Sequence, residues 1–272
     1  MIKDLLAIVD TGENDAQFVT DVSGFADFHG AHLSFLLLSP VPTPDYALAF
    51  DPPYVKLDEY IRRSADKEAR LTQAIRHLSG EVRVISGDVA HVLRGIPVHA
   101  RYADLALIGP PAAYGAGKLR QKAAEAAMLW SGRPMLVLPA GTTPRPFDRL
   151  AIGWNGSREA TRALTDAVAL LAPGAAIDVL MVDGAAQPLG HGIEPGADIA
   201  RNLARHGFRV TVDDLARGPG SVAETLVEAA CARGADLLAI GGYAHSRLSE
   251  MILGGVTRDL FGESQIPCLF SH

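Results

Sequence analysis

Arg101-Tyr-Ala-Asp-Leu-Ala-Leu-Ile-Gly109 returns 132 residues later as Arg233-Gly-Ala-Asp-Leu-Leu-Ala-Ile-Gly241, with six of nine positions identical. In a chain of 272 residues, a repeat at that spacing points to two copies of one plan, each about the size of an ordinary domain. An apolar content of 48% supplies material for two cores. Working outward, other landmarks pair in the same way. Ser131-Gly-Arg-Pro134 matches Ser264-Gln-Ile-Pro267, and a short apolar run follows each. Leu5-Leu-Ala-Ile-Val-Asp10 parallels Leu150-Ala-Ile-Gly-Trp-Asn155, an apolar run that ends in a small polar residue with a glycine soon after.

Between the landmarks, short apolar runs alternate with longer helical patterns. The first half places strands near 5–9, 33–38, 82–85, 105–108 and 135–138; the second near 150–154, 177–182, 208–212, 237–240 and 268–270. Runs this continuously apolar or β-branched suit strands covered on both faces. After Ser157, residues Ala160, Ala163, Leu164, Ala167, Val168 and Leu171 form one apolar stripe, which Pro173-Gly174 is expected to stop. The segment 57–78, with Ile61, Ala65, Leu71, Ile75 and Leu78 apolar, reads as an amphipathic helix lying over a sheet. The expected class is therefore α/β, with two five-stranded parallel sheets joined by right-handed crossovers and ligands beyond the carboxyl ends of the strands. Pro139-Ala-Gly-Thr-Thr-Pro-Arg-Pro146 has no periodicity and marks the boundary between domains 1–142 and 147–272. So short a linker favours packing of the two as an internal pseudo-dimer.

Composition narrows the function. A net charge of -6 and a charged fraction of 21% give no electrostatic grip on nucleic acid or anionic lipid. The run 33–38 is too short to cross a bilayer, and the amino terminus reads as a core strand without the pattern of an export signal, so the expected location is cytoplasmic. Cys231 and Cys268 sit in apolar settings typical of inert thiols. Histidines do not cluster at metal-ligand spacings.

The most informative polar stretch follows the fourth strand of the second half: Gly241-Gly-Tyr-Ala-His-Ser-Arg-Leu-Ser-Glu-Met-Ile-Leu-Gly-Gly-Val-Thr257. Its first glycine pair lets the backbone leave a strand end freely, and the second, Gly254-Gly255, opens a helix near Val256. Free amides at a helix start, with the positive end of the dipole, attract an anion, most often a phosphate. His245 and Arg247 sit between the pairs and have alternative readings as a loop residue and as a surface charge paired with Glu250. Asn155 reads equally as a ligand contact and as a turn former, and Ser157 reads as a helix cap rather than a nucleophile.

On these residues the chain resembles the universal stress protein family. Family members that bind ATP carry, after strand four, Gly, two residues, Gly, nine residues, then Gly with Ser or Thr; here those glycine positions fall on Gly241, Ala244 and Gly254, and the hydroxyl position falls on Gly255, with Thr257 as a second hydroxyl. Trp154-Asn155-Gly156-Ser157 and Ser271-His272 resemble the family's strand-one end and its usual ending, with Asn155 in place of the more usual Asp. The resemblance implies Rossmann-like domains of the adenine nucleotide alpha hydrolase type. It also implies a nucleotide site in the second half formed by Asn155, Gly156, Ser157, Val182, Gly241, Gly242, His245, Arg247, Gly254, Gly255, Val256 and Thr257. The ligand so implied is ATP, or AMP or ADP, with or without Mg2+; the role is stress-response regulation through a protein partner more than catalysis, with slow ATP hydrolysis left open. In the first half, Gly109-Pro-Pro-Ala112 and Gln121-Lys-Ala-Ala124 occupy the glycine positions, so that copy is expected to be dead or repurposed. Two rival readings stay open: a nucleotide-independent partner-binding scaffold, and a weak hydrolase of a phosphorylated small molecule using His245. Pairing of two chains into a homodimer is also implied as an option.

Overall fold

The computed structural model describes residues 2–44, 46–47, 56–142, 145–183, 196–242 and 264–272. The chain divides into two compact units, Met1–Arg145 and Pro146–His272. Each is an α/β layer structure built on five parallel strands.

Unit 1 runs β1 (Asp4–Asp10), α1 (Ala16–His29), β2 (His32–Pro40), α2 (Leu57–Ala74), β3 (Gly80–Gly87), α3 (Val89–Ala100), β4 (Leu105–Ile108), a 3-10 turn (Pro111–Ala113), α4 (Gly117–Trp130) and β5 (Met135–Val137). Its strands lie in the order β3-β2-β1-β4-β5. All four pairings are parallel. Central strands are buried along nearly their whole length, which explains why they read as continuous apolar runs rather than as alternation.

Unit 2 repeats the plan with β6 (Phe147–Gly153), α5 (Arg158–Val168), β7 (Leu171–Val182), α6 (Ala197–Arg205), β8 (Arg209–Leu215), α7 (Val222–Ala232), β9 (Leu237–Gly241) and β10 (Cys268–Ser271). The order β8-β7-β6-β9-β10 is the same topology strand for strand, again with parallel pairing throughout. In both units the strand order reverses beside the first strand, which opens a crevice at the carboxyl ends.

The repeated nonapeptide has a physical explanation. Asp104 accepts hydrogen bonds from the amides of Lys3 (2.7 Å) and Asp4 (3.1 Å), and so satisfies the start of β1 from the neighbouring β4. Asp236 does the same for Asp148 (3.0 Å) and Arg149 (2.8 Å) at the start of β6. The second repeated landmark is also a turn device. Ser131 Oγ accepts from the amide of Arg133, and Ser264 Oγ from that of Ile266, just before β5 and β10. Both sets lie at the amino ends of the strands.

Several elements differ from expectation. Helix α5 ends at Val168, so Leu171 belongs to a strand, and Pro173-Gly174 falls inside β7. There Gly174 takes φ +73° and the β6–β7 register shifts between Phe147 and Arg149. The strand absorbs the pair because a bulge accommodates a proline without an amide and a left-handed glycine. Strand β6 stops at Gly153, one residue short, although the amide of Trp154 still donates to Leu180 O at 2.8 Å. Helix α2 ends at Ala74, and its stripe is not the one expected. Leu71 and Ile75 are buried, but Ile61 is 59% exposed and Lys67 is completely buried. A buried cation tolerates that position because Asp15 neutralises it at 2.5 Å.

Both cysteines are free thiols. Cys268 is fully buried in β10, and burial pushes its thiol up to about 12. Among the described residues, no helix is long and apolar enough to cross a membrane.

Candidate functional site

Parallel register makes the two carboxyl-end crevices comparable residue by residue. Ile8 of β1 lies opposite Ile108 of β4, and Gly153 of β6 lies opposite Ile240 of β9. Two residues further on, Asp10 and Asn155 therefore hold equivalent positions.

In unit 1, Asp10 is 4% exposed and its carboxylate is bound by its own chain. It accepts from Gly12 N (2.8 Å), from Gly115 N (2.9 Å to Oδ2, 3.2 Å to Oδ1) and from Ala116 N (3.2 Å). Gly115 and Ala116 immediately precede α4, whose first residues lack a side-chain cap. The carboxylate thus sits where an external anion would meet a helix start. The β1–α1 loop and the loop before α4 also touch backbone to backbone: a Cβ on Gly12 would lie 2.4 Å from Gly115 N. Burial pushes the Asp10 carboxyl above its ordinary value, against the pull of three amides and Lys67.

The same loop is clamped from α2. Lys67 Nζ donates to the Gly12 carbonyl and pairs with Asp15, each at 2.5 Å. From the other side, Tyr114 Oη donates to Ile8 O (2.6 Å) and accepts from Gly109 N (3.1 Å), while Arg120 Nε donates to Gly109 O (2.7 Å). Pro110 and Pro111 contribute no amide at this end. Sequence reading named Asp10 but missed Lys67 and Asp15. Only one signal was available, a lone lysine within the apolar face of α2, and helix periodicity alone does not separate it from a solvated charge.

In unit 2, Asn155, Gly156 and Ser157 form the turn between β6 and α5, Val182 ends β7, Gly241 ends β9 and Gly242 follows it. All six belong to the carboxyl end of the sheet. Asn155 Oδ1 accepts from Ser157 N at 3.1 Å, an Asx turn, and Gly156 takes φ +71°. Ser157 is the N-cap of α5, accepting from Ala160 N at 3.1 Å. Gly241 is required by packing, since a Cβ there would lie 2.4 Å from Ala160 N and 2.5 Å from the Glu159 carbonyl carbon. The amide of Gly242 donates to Ser271 O at 2.8 Å. His245, Arg247, Gly254, Gly255, Val256 and Thr257 lie outside the described residues.

Charged groups that sequence reading passed over, Asp183 and Glu159, also stand at this end. Asp183, with φ +56°, accepts from the amide of Arg217 at 2.9 Å. Glu159, paired with Arg158 at 3.0 Å, stands near His272, whose imidazole burial pushes below its usual value. Among the described residues, no group of three or more His, Cys, Asp or Glu could hold a metal ion.

Residues 146–272 match the family model described as the Universal stress protein family. Across the whole chain, the fold is similar to that of a universal stress protein from Archaeoglobus fulgidus DSM 4304 (TM-score 0.67, 16% identity, 98% of this chain and 95% of that one). It is also similar to that of a putative universal stress protein from Pseudomonas aeruginosa UCBPP-PA14 (TM-score 0.57, 13% identity, 99% and 93%). A functionally unknown protein from Pseudomonas aeruginosa PAO1 has the same fold at TM-score 0.55 and 12% identity, over 99% and 92% of the two chains. No curated protein matches at a significant level.

Proposed function

We propose that the whole chain is a tandem universal stress protein whose second half binds an adenine nucleotide, ATP first among them, in a regulatory rather than a strongly catalytic role. The observation that carries this reading is an asymmetry within one topology. The half that matches the family model has a neutral Asn155 where the other half has a carboxylate bound to the amides before its helix. A crevice free of that carboxylate repels phosphate oxygens less than its counterpart in unit 1, and Gly241 brings the start of α5 close to the strand end. In the sequence, Gly254 and Gly255 carry no side chain to bar the close approach of a phosphate. Two free thiols fit a cytoplasmic setting.

Calorimetry with ATP, ADP and AMP, together with acid release of any copurified nucleotide, tests the reading. Expected is saturable binding of one nucleotide per chain, lost in a Gly254→Glu, Gly255→Glu double variant. Folded protein that binds none of the three at millimolar concentration sinks it.

A second reading, a partner-binding scaffold indifferent to nucleotide, draws support from Asn155 Oδ1 and the Gly242 amide, both already engaged within the chain. It requires that the same double variant retain its protein partners in pull-down while ATP changes nothing.

A further inference from the structure

Unit 1 holds a cavity of about 80 Å³ at the carboxyl ends of β1 and β2. Its lining includes Asp10, Pro40, Pro42, Tyr46, Tyr60 and Arg63. We propose that this cavity is a binding site for a small zwitterion of the size of glycine or alanine, its ammonium group directed to Asp10 and its carboxylate to Arg63.

Size favours small candidates. Sites for cofactors and drug-sized molecules occupy roughly 300–1,000 Å³, so a cavity of about 80 Å³ suits a small molecule better than a nucleotide. Charge then selects among small ones. Among the described residues, Asp10 and Arg63 are the charged ones in the lining, and they are of opposite sign. A simple anion gains from Arg63 but meets the Asp10 carboxylate in place of free amides, because Gly12, Gly115 and Ala116 are already committed to it. A simple amine gains from Asp10 and leaves the guanidinium facing it. A molecule carrying both charges satisfies both ends.

Each end offers a charge to the ligand. The three amides on Asp10 make four contacts, Gly115 N being shared between both oxygens, so an ammonium group gains there chiefly from the opposite charge. Arg63 uses Nη2 on Glu59 at 2.5 Å, in a half-exposed i,i+4 pair, out of about five N–H donors. Such a pair is weak and is readily exchanged for a ligand carboxylate. Pro40, Pro42 and the phenol rings add apolar lining suited to one or two carbons. The lining is positioned by the protein itself, since Tyr60 Oη donates to Ser39 O at 2.5 Å and Ser39 Oγ donates to Ser64 Oγ at 2.9 Å. Burial, with Asp10 and Tyr60 close by, pushes the Tyr46 phenol upward.

The test is ligand-observed NMR and calorimetry on the full chain with glycine, L-alanine, methylamine, acetate and L-phenylalanine. Glycine or alanine should bind saturably in the millimolar range, with methylamine, acetate and phenylalanine at least about tenfold weaker. Arg63→Gln, a change at the half-exposed rim, should weaken glycine or alanine about tenfold, and Asp10→Asn should do the same where circular dichroism shows it folded. Folded protein that binds neither glycine nor alanine overturns the proposal. So does methylamine or acetate binding as tightly as the zwitterions, or Arg63→Gln leaving their affinity unchanged. ATP binding at the other unit is read separately, so either site can fail alone.

Discussion

The two units agree at the amino ends of their strands and part company at the carboxyl ends. At the amino ends, Asp104 and Asp236 each close the first strand of their sheet through two amides, and Ser131 and Ser264 each shape the turn into the last strand. At the carboxyl ends, Asp10 gathers three amides and a lysine clamps the loop, whereas Asn155 makes a single local turn. A duplicated fold thus keeps the groups that close its sheets and varies those that face a ligand. The longest stretch of repeated sequence consequently reports on the scaffold and says little about the site.

The largest way to break this comparison is to remove the clamp. Lys67→Met leaves Asp15 buried without its counter-ion and strips the Gly12 carbonyl of its donor, a loss of about 3–5 kcal/mol by analogy with other broken buried pairs. Urea unfolding of wild type and variant measures it. Arg149→Met is the matched change in unit 2. Asp178 there keeps the Thr211 hydroxyl as a donor, and Arg149 is partly exposed, so about 1–3 kcal/mol is expected. Equal losses would mean that the clamp does no more for unit 1 than an ordinary ion pair does for unit 2.

A smaller effect sharpens the part on which the units agree. Asp104→Ala and Asp236→Ala each remove an acceptor for two strand-end amides at a partly solvated edge, about 1–2 kcal/mol in each case. The two values should agree within about 0.5 kcal/mol. A difference larger than that would show that the repeated motif has different duties in the two halves.

Much of the fold was legible because buried parallel strands carry an unmistakable apolar signature and the duplication confirms each one. The strand runs at 105–108 and 237–240 appear in the structure as β4 and β9. What local pattern could not reveal were outcomes decided by tertiary partners. Pro173-Gly174 looks like a helix stop until a bulge in β7 absorbs it. Lys67 looks solvated until Asp15 meets it, because an ion pair between residues 52 positions apart leaves no mark on helix periodicity. For the site, Ser157 reads as a cap and Asn155 equally as a turn former or a ligand contact; the structure shows the cap and the turn, since such side chains act on their own backbone. Gly241 illustrates the converse: its glycine character suggested a ligand, and the structure gives it a packing duty against Ala160.

The smallest expected signal is electrostatic, and it tests whether Asp10 behaves as a buried internal anion. Burial raises its carboxyl above the ordinary value of 3.8 in the folded protein. Between that ordinary value and the raised one, the native state holds a proton that the unfolded state has released, so this group stabilises the fold below pH about 4 and its contribution fades as pH climbs through the folded value. Asp10→Asn abolishes that titration. The stability of wild type relative to the variant should therefore fall with rising pH from about 4 and level off above the folded value. One proton limits the slope to about 1.4 kcal/mol per pH unit. Carboxylates elsewhere, such as Glu81, held low by Arg83, slope the other way, and because they act equally in both proteins they cancel in the difference. Asn155→Asp supplies the counterpart. Its carboxylate keeps the Ser157 amide and stands at the start of α5, where negative charge is favoured by about 0.3–1 kcal/mol, so the added acid should be tolerated in unit 2. A difference curve for Asp10→Asn that rises with pH instead would mean that the three amides outweigh burial, and that Asp10 is held ionised as a true stand-in for a bound anion.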